Sequence, residues 1–342
     1  MNRQGKRGIG YLDDDWNPVV GCTRGCPWCW ARRQAKRQKH NCQKCYDFTP
    51  HLHPERLDEP LRTRKPSVIG VGFMGDLFDA ALPDSVRDEC FGVMDTAHWH
   101  TFVLLTKQAL GAMHYFGFST NDAGARKWKV REMRDGGFVL PLSNLVLGVS
   151  VEDQASADLR IPELLACPAA TRIVSIEPMR GPVLLRAAWF GYTRTTGKFR
   201  TNPKTGRRQV AFGLNPTAAR LDGVILGGQT GPAALPMHPD WVRKVRDDCA
   251  AAGVPFYFKG WGEWLPIATP RVHAGSTKIL HADGRLESAT WSDVMASRGE
   301  AWAVERVGRK AAGRMLDGRT HDELAWPRSR APARRDTLQG GE

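Results

Sequence analysis

The sequence predicts an α/β fold built on a parallel sheet, and two observations predict it. Short β-branched runs alternate with amphipathic helical patterns, which is the signature of βαβ units. Most of the runs are apolar throughout, as strands are when both faces of a sheet are covered. A length of 342 residues suits one large α/β barrel or two smaller units.

In chain order the runs are residues 18–22, 68–74, 101–107, 145–152, 172–177, 223–228 and 254–259. Between the second and third, Val86, Cys90, Val93 and Met94 share one helical face after the start signal Pro83-Asp84-Ser85. Between the last two, Trp241, Val245 and Cys249 do the same after Pro239-Asp240, and Gly253 stops that helix. Most runs finish on or near a polar residue or glycine: Asp76, Lys107, Glu152, Glu177, Gly228 and Lys259. In a parallel barrel that edge carries the active site.

Two segments break the rhythm. Residues 192–220 are polar and basic, with Arg194, Lys198, Arg200, Lys204, Arg207 and Arg208 interleaved with Phe199 and Phe212, and read as an insertion. The core is expected over 1–262, with a C-terminal appendage at 263–326, a turn at Asp283-Gly284, a helix-like VGRKAAGRM stretch and a Pro/Arg-rich, disordered tail at 327–342. GGQTGP lacks the lysine of a phosphate-binding P-loop, so a kinase or ATPase has no support.

No apolar run approaches the ~20 residues of a membrane helix, and the first residues lack a signal peptide's apolar stretch, so a soluble, cytoplasmic protein without a membrane partner is expected. The net charge of +13 attracts polyanions and makes nucleic acid a candidate partner. In that compartment the 8 cysteines are reduced thiols, and clustered ones read as metal ligands. Cys90, Cys167 and Cys249 stand alone in apolar helical patterns and read as small buried hydrophobes.

The strongest signal is Gly21-Cys22-Thr23-Arg24-Gly25-Cys26-Pro27-Trp28-Cys29, a C-x3-C-x2-C loop directly after the first apolar run. Three thiolates hold three irons of a cubane and leave the fourth open, unlike the four-cysteine ligation of an electron-transfer cluster. The spacing, with an aromatic residue before the third cysteine, is similar to the defining motif of the radical S-adenosylmethionine (SAM) superfamily. A narrower resemblance spans nearly the whole chain: DWNPVVGC, HPERL, GDLFD, LLTK, LGVSVED, SIEPMRGPV, ILGGQTGP, MHPDWVR, GVPFYFKGWGEW and VGRKAAGRMLDGRT together resemble the phage Gp37/Gp68 family, regarded as radical SAM-like. Many members space the first two cysteines more widely; this chain has the compact spacing.

That resemblance implies a partial (β/α)6-type barrel of the radical SAM type with a [4Fe-4S] cluster on Cys22, Cys26 and Cys29, located in the host cytoplasm if the chain is phage-encoded. SAM would chelate the open iron and, on reduction by an external donor such as flavodoxin, yield a radical that abstracts a substrate hydrogen. Trp28 would pack beside the cluster, Asp76 would receive the methionine ammonium, Ser150 and Glu152 would bind the ribose, and Gly227 and Gly228 would admit the adenine. Lys107, Glu177 and Lys259 would face the substrate as catalytic residues, or Lys107 and Glu177 would pair across the barrel mouth. The phage setting favours rearrangement or modification of a substituent on a DNA base, such as a hypermodified thymidine, by an isomerase-type reaction; a free nucleotide or small anionic metabolite is the alternative substrate.

Cys42 and Cys45, with His40, His51 and His53 nearby, are candidates for a second metal, a local zinc or an auxiliary cluster, with an unliganded pair as the plain alternative. A competing arrangement joins Cys26-x2-Cys29 to Cys42-x2-Cys45 as a four-cysteine zinc knuckle in a non-catalytic nucleic-acid-binding protein. That arrangement strands Cys22 and has a short, twelve-residue gap.

Overall fold

Six of the seven apolar runs become neighbouring strands of one sheet, and the first does not. The computed structural model describes residues 1–4, 8–38, 41–117, 119–120, 126–127, 140–201, 208–214, 219–267, 277–288 and 301–327. Its main sheet contains β1 (Asp14–Trp16), β2 (Val68–Val71), β3 (Thr101–Thr106), β4 (Leu145–Val151), β5 (Thr171–Ile176), β6 (Gly223–Gly227) and β7 (Phe256–Gly260). These seven are parallel and lie in chain order; Asn2–Arg3 adds an eighth, antiparallel strand beside β1.

The expected first strand at 18–22 is corrected to β1. Pro18 has no N–H to give a ladder and Gly21 sits at φ +96°, so the chain leaves the sheet after Trp16. Val19–Val20 instead pairs antiparallel with His51–Leu52, a two-strand ribbon on which the cysteine loop is mounted. Trp16 is fully buried and donates its indole N–H to the Arg56 carbonyl at 2.8 Å.

Helices fill most crossovers: α1 (Trp30–Ala35) and α2 (Gln43–Asp47) before β2, α3 (Asp84–Thr96), α4 (Ala109–Tyr115), α5 (Gln154–Ala166) and α6 (Pro239–Ala252). The predicted signals are used: α3 starts after Pro83, and α6 ends on Gly253 at φ +66°. Asp153 and Ser156 form a capping box on α5. Among the described residues no helix is long and apolar enough to cross a membrane.

Side-chain alternation divides the strands into two faces. Ile69, Phe102, Leu104, Leu147, Val149, Val174, Val224, Leu226 and Phe258 pack with the helices in the main core. Val68, Val103, Val146, Ile173, Ile225 and Tyr257 face the other way into a second cluster, plugged by Tyr11, Leu12 and Trp326. Two residues further along the same faces come Leu105, Ser175 and Lys259, which line a cavity at the C-terminal ends of the strands. Ile9, Tyr11 and Gly72 from one side of the sheet and Lys259 from the other line that same cavity, so the sheet curls. Among the described residues no hydrogen-bonded ladder joins its two edges; they meet through side chains, with Tyr11 edge-on to Tyr257 at 5.5 Å and to Trp326 at 6.1 Å.

The insertion forms an antiparallel ribbon, Tyr192–Thr201 with Arg208–Leu214; Arg207 lies outside the described residues. After β7 a four-stranded antiparallel sheet follows, Trp264–Ile267, Thr277–His281, Leu286–Ser288 and Ala301–Arg306, with the expected turn at Gly284 (φ +93°). The VGRKAAGRM stretch holds the short helix Arg309–Ala312. The chain then runs back along β7 as a strap: Phe258 donates its N–H to the His321 carbonyl at 3.0 Å, and Tyr257 bridges Asp322. The tail from 328 on lies outside the described residues.

Candidate functional site

The cysteine loop is held open-faced by its backbone. A Cβ on Gly21 would lie 2.3 Å from the Thr49 carbonyl oxygen, so only glycine fits where the loop leaves the ribbon. Thr23 is tied down by Asp79, which accepts its N–H at 2.8 Å and its hydroxyl at 2.9 Å. Cys29 caps α1, its Sγ accepting the Arg32 N–H at 3.3 Å, and the Cys22 Sγ accepts the Arg24 N–H at 3.5 Å. Cys22, Cys26 and Cys29 are all half-buried and all line the cavity, which has a volume of about 210 Å³. No other cysteine lines it. Burial pushes the Cys22 thiol up to about 12, so its sulfur stays protonated at neutral pH until a cation displaces the proton.

The charged residues expected at the strand ends pair differently from the sequence-based expectation. Lys107 pairs with Glu152, not with Glu177. Glu152, almost fully buried, also accepts Arg160 at 2.9 Å, so two cations share one carboxylate. Glu177 accepts Lys259 at 2.5 Å, from β7 across β6. Gly227 makes that reach possible: a Cβ there would stand 3.2 Å from the Lys259 Cβ and 3.6 Å from the Glu177 carboxyl carbon. Gly228 serves the backbone, since a Cβ there would lie 2.2 Å from the Trp261 carbonyl oxygen. Asp76, buried at the cavity wall, accepts the Thr106 hydroxyl at 2.7 Å and the N–H groups of Lys107 and Phe78 at 2.9 and 3.1 Å. Its pKa is raised by burial.

Cys22, Cys26, Cys29, Trp28, Asp76, Lys107, Ser150, Glu177, Gly228 and Lys259 therefore line one cavity, with Glu152 behind Lys107 and Gly227 beneath the Glu177–Lys259 pair. The Arg180 guanidinium lies 4.1 Å from the centre of the Trp28 ring, whose indole N–H is buried without a partner.

The second group is separate. Cys42, Cys45, His51 and His53 bring their ligand atoms within 4.8 Å of one another and can bind a metal ion. Cys42 and Cys45 thus turn to two histidines of the ribbon and its continuation, not to Cys26 and Cys29. His40 lies outside the described residues. Burial, with the adjacent Cys42 thiol, pushes Cys45 up to about 11, and burial lowers His53, which keeps that imidazole neutral. The lone cysteines are as expected: Cys90, Cys167 and Cys249 are buried in the main core, and desolvation raises all three thiols.

The sequence pattern of the family described as "Protein of unknown function (DUF5131)" matches residues 6–325. The chain belongs to the DUF5131 family. No curated protein and no solved structure matches it. In this DUF5131 chain sequence reasoning missed Arg160 and Arg180. Arg160 sits on α5 eight residues beyond Glu152, a spacing with no motif to mark it. Arg180 follows Glu177 by three residues, and only its position over Trp28 gives it meaning.

Proposed function

We propose that this chain is a radical SAM enzyme on a partial (β/α)6-type barrel, with its cluster on Cys22, Cys26 and Cys29. One observation carries the reading: three cysteines spaced C-x3-C-x2-C, and no fourth, converge on one cavity at the C-terminal ends of parallel strands laid in chain order. The donor set fits the group, because three sulfurs leave one iron of a cubane open to a ligand.

A cubane with SAM at its open iron supplies hydrogen abstraction by a carbon radical. The chain's own residues position the partners. Asp76, its oxygens already aimed by three donors, presents a carboxylate for an ammonium group. Ser150 offers a hydroxyl from the cavity wall. Lys107 and Arg160 share one carboxylate, leaving a surplus positive charge beside Trp28 and Arg180, where an anionic substrate group is held. Lys259 and Glu177, neutral as a pair, orient a polar substituent by hydrogen bonding.

The substrate reading follows the net charge of +13 and the motif series resembling phage Gp37/Gp68 proteins: modification of a substituent on a DNA base, with a small anionic nucleotide as the alternative. A base in a duplex reaches such a cavity only flipped out, at a cost of roughly a few kcal/mol. DNA binding should weaken by orders of magnitude between about 50 and 200 mM salt. Salt-insensitive binding, unchanged when Arg207 and Arg208 are neutralised, transfers the proposal to the small molecule.

The deciding experiment is anaerobic purification with iron and sulfide assay, followed by reductive SAM cleavage. The expected result is a brown protein with about four irons per chain that releases 5′-deoxyadenosine. A colourless protein carrying only zinc after reconstitution overturns the enzyme. That result favours a zinc-containing nucleic-acid-binding protein, for which the Cys42/Cys45/His51/His53 group is the specific observation.

A further inference from the structure

We propose that Cys42, Cys45, His51 and His53 form a closed zinc site whose task is to set the shape of the Cys22–Cys29 loop. The proposal concerns the two loops alone and does not depend on what the three-cysteine loop ligates.

Ligand spacing comes first. Sulfurs at about 2.3 Å and imidazole nitrogens at about 2.0 Å from one ion in tetrahedral array stand roughly 3.3–3.8 Å apart. The Cys42 Sγ lies 3.5 Å from the His51 Nε2, and the Cys45 Sγ lies 3.6 Å from the His51 Nε2 and 3.1 Å from the His53 Nε2. These three pairs fall on or near that scale, and all four ligand atoms lie within 4.8 Å of one another.

The histidines are aimed as ligands. The His51 Nδ1 donates to the Thr49 carbonyl at 2.8 Å, and the His53 Nδ1 donates to the Glu55 carboxylate at 2.8 Å. Each imidazole so fixed carries its proton on Nδ1 and turns a bare Nε2 lone pair toward the sulfurs. A carbonyl or carboxylate behind a histidine is the support that metal-ligating imidazoles have. Two thiolates and two imidazoles select zinc, and four protein ligands leave no position for a substrate.

The link to the cysteine loop is Phe48. It ends α2 in the left-handed region, φ 60° and ψ 31°, a conformation that a bulky residue keeps only when its surroundings enforce it. Its N–H donates to the Cys45 carbonyl, and its own carbonyl accepts the Cys22 N–H at 3.2 Å. Its ring is buried with Ala31 and Ala35 against Cys22, Cys29 and Met74. The Arg32 guanidinium covers that ring at 4.8 Å and donates to the Cys22 carbonyl at 3.1 Å. An ion that fixes Cys45 therefore fixes Phe48, and through Phe48 both ends of the neighbouring loop.

The test uses the full chain purified without cluster reconstitution. Zinc assay should find one ion per chain, retained when Cys22, Cys26 and Cys29 are all replaced by Ala, so that failure of the iron assignment leaves this result standing. Cobalt in place of zinc should give the intense visible bands of a tetrahedral sulfur–nitrogen site. Cys45→Ser should lose the ion. Glu55→Gln, which leaves all four ligands, should weaken zinc affinity about tenfold and keeps the proposal testable if Cys45→Ser fails to fold. Removing zinc with a chelator should speed alkylation of Cys22 and Cys29, read by mass spectrometry, about tenfold. Chains without zinc, octahedral cobalt spectra, unchanged affinity in Glu55→Gln, or alkylation rates indifferent to zinc would each overturn the proposal.

Discussion

Twelve residues separate Cys29 from Cys42, and the two cysteine groups on either side differ in every property that decides what a metal site does. The Cys22–Cys29 loop offers three sulfurs, holds them half-buried with backbone N–H groups pointing at two of them, and opens onto a cavity at the strand ends. The Cys42–His53 group offers four ligands, orients both imidazoles from behind, and buries Cys45 and His53. An open ligand set with space in front of it suits chemistry; a closed set with none suits structure. Cysteine spacing alone does not separate them, since both contain C-x2-C.

The comparison breaks most sharply at the open loop. Cys26→Ala should abolish reductive SAM cleavage, measured as 5′-deoxyadenosine, while leaving zinc at one per chain; cleavage that survives would remove the cluster assignment. Cys42→Ala should do the converse. Zinc is lost, the Tm falls by about 5–10 °C, iron loading drops, and cleavage stays detectable.

Gly227→Ala, which touches neither group, should lower turnover by about tenfold with the fold intact. Its Cβ crowds the Glu177–Lys259 pair, and a reacting group displaced by less than an ångström is costly. Trp28→Ala should act more weakly, removing a ring against which Arg180 packs but no ligand; a two- to fivefold rise in KM is expected, about 0.5–1 kcal/mol of cation–π contact.

The smallest effect is expected far from both groups. Asp317 is held down to about 2 by Arg243 and Arg246, which tie the strap to α6. A depressed carboxyl contributes stability that is present above the ordinary value of 3.8 and is lost as pH falls toward about 2. Asp317→Asn should flatten thermal stability in that acid window, with a Tm change of about 2 °C or less at pH 7 and no change in either metal, because the pair is exposed. A metal content that moved with Asp317 would mean that the two sites are not local.

Six strands were legible because buried parallel strands are apolar on both faces and need no partner information. β1 was not, because Asp13, Asp14 and Asp15 break the apolar pattern. The Asp13 carboxylate accepts the Val68 N–H at 2.8 Å, and the Asp15 Oδ2 accepts the Asn17 amide at 2.9 Å. The C-x3-C-x2-C loop was legible from local spacing. His51 and His53 were legible as neighbours of Cys42 and Cys45; their convergence on the two sulfurs was not, since it depends on Val19–Val20 pairing with His51–Leu52, a contact some thirty residues apart in the chain. The charge pairs failed for a related reason. Strand ends announce Lys107 and Glu177, but the partner of each is chosen by sheet register and by the gap at Gly227.

The strap along β7 has a consequence outside the cavity. An edge strand with bare N–H and C=O groups is a template for a second chain, and β7 would be such an edge if the protein stopped after the appended sheet. The Phe258 N–H is given to the His321 carbonyl and Tyr257 is bridged to Asp322, so that template is occupied from within. His321 and Asp322 thus blunt that edge against pairing with a second chain. Four residues further on, Trp326 closes the same seam from inside, packing edge-on against Tyr11 in the second core cluster, so one short stretch both covers the sheet edge and fills its interior.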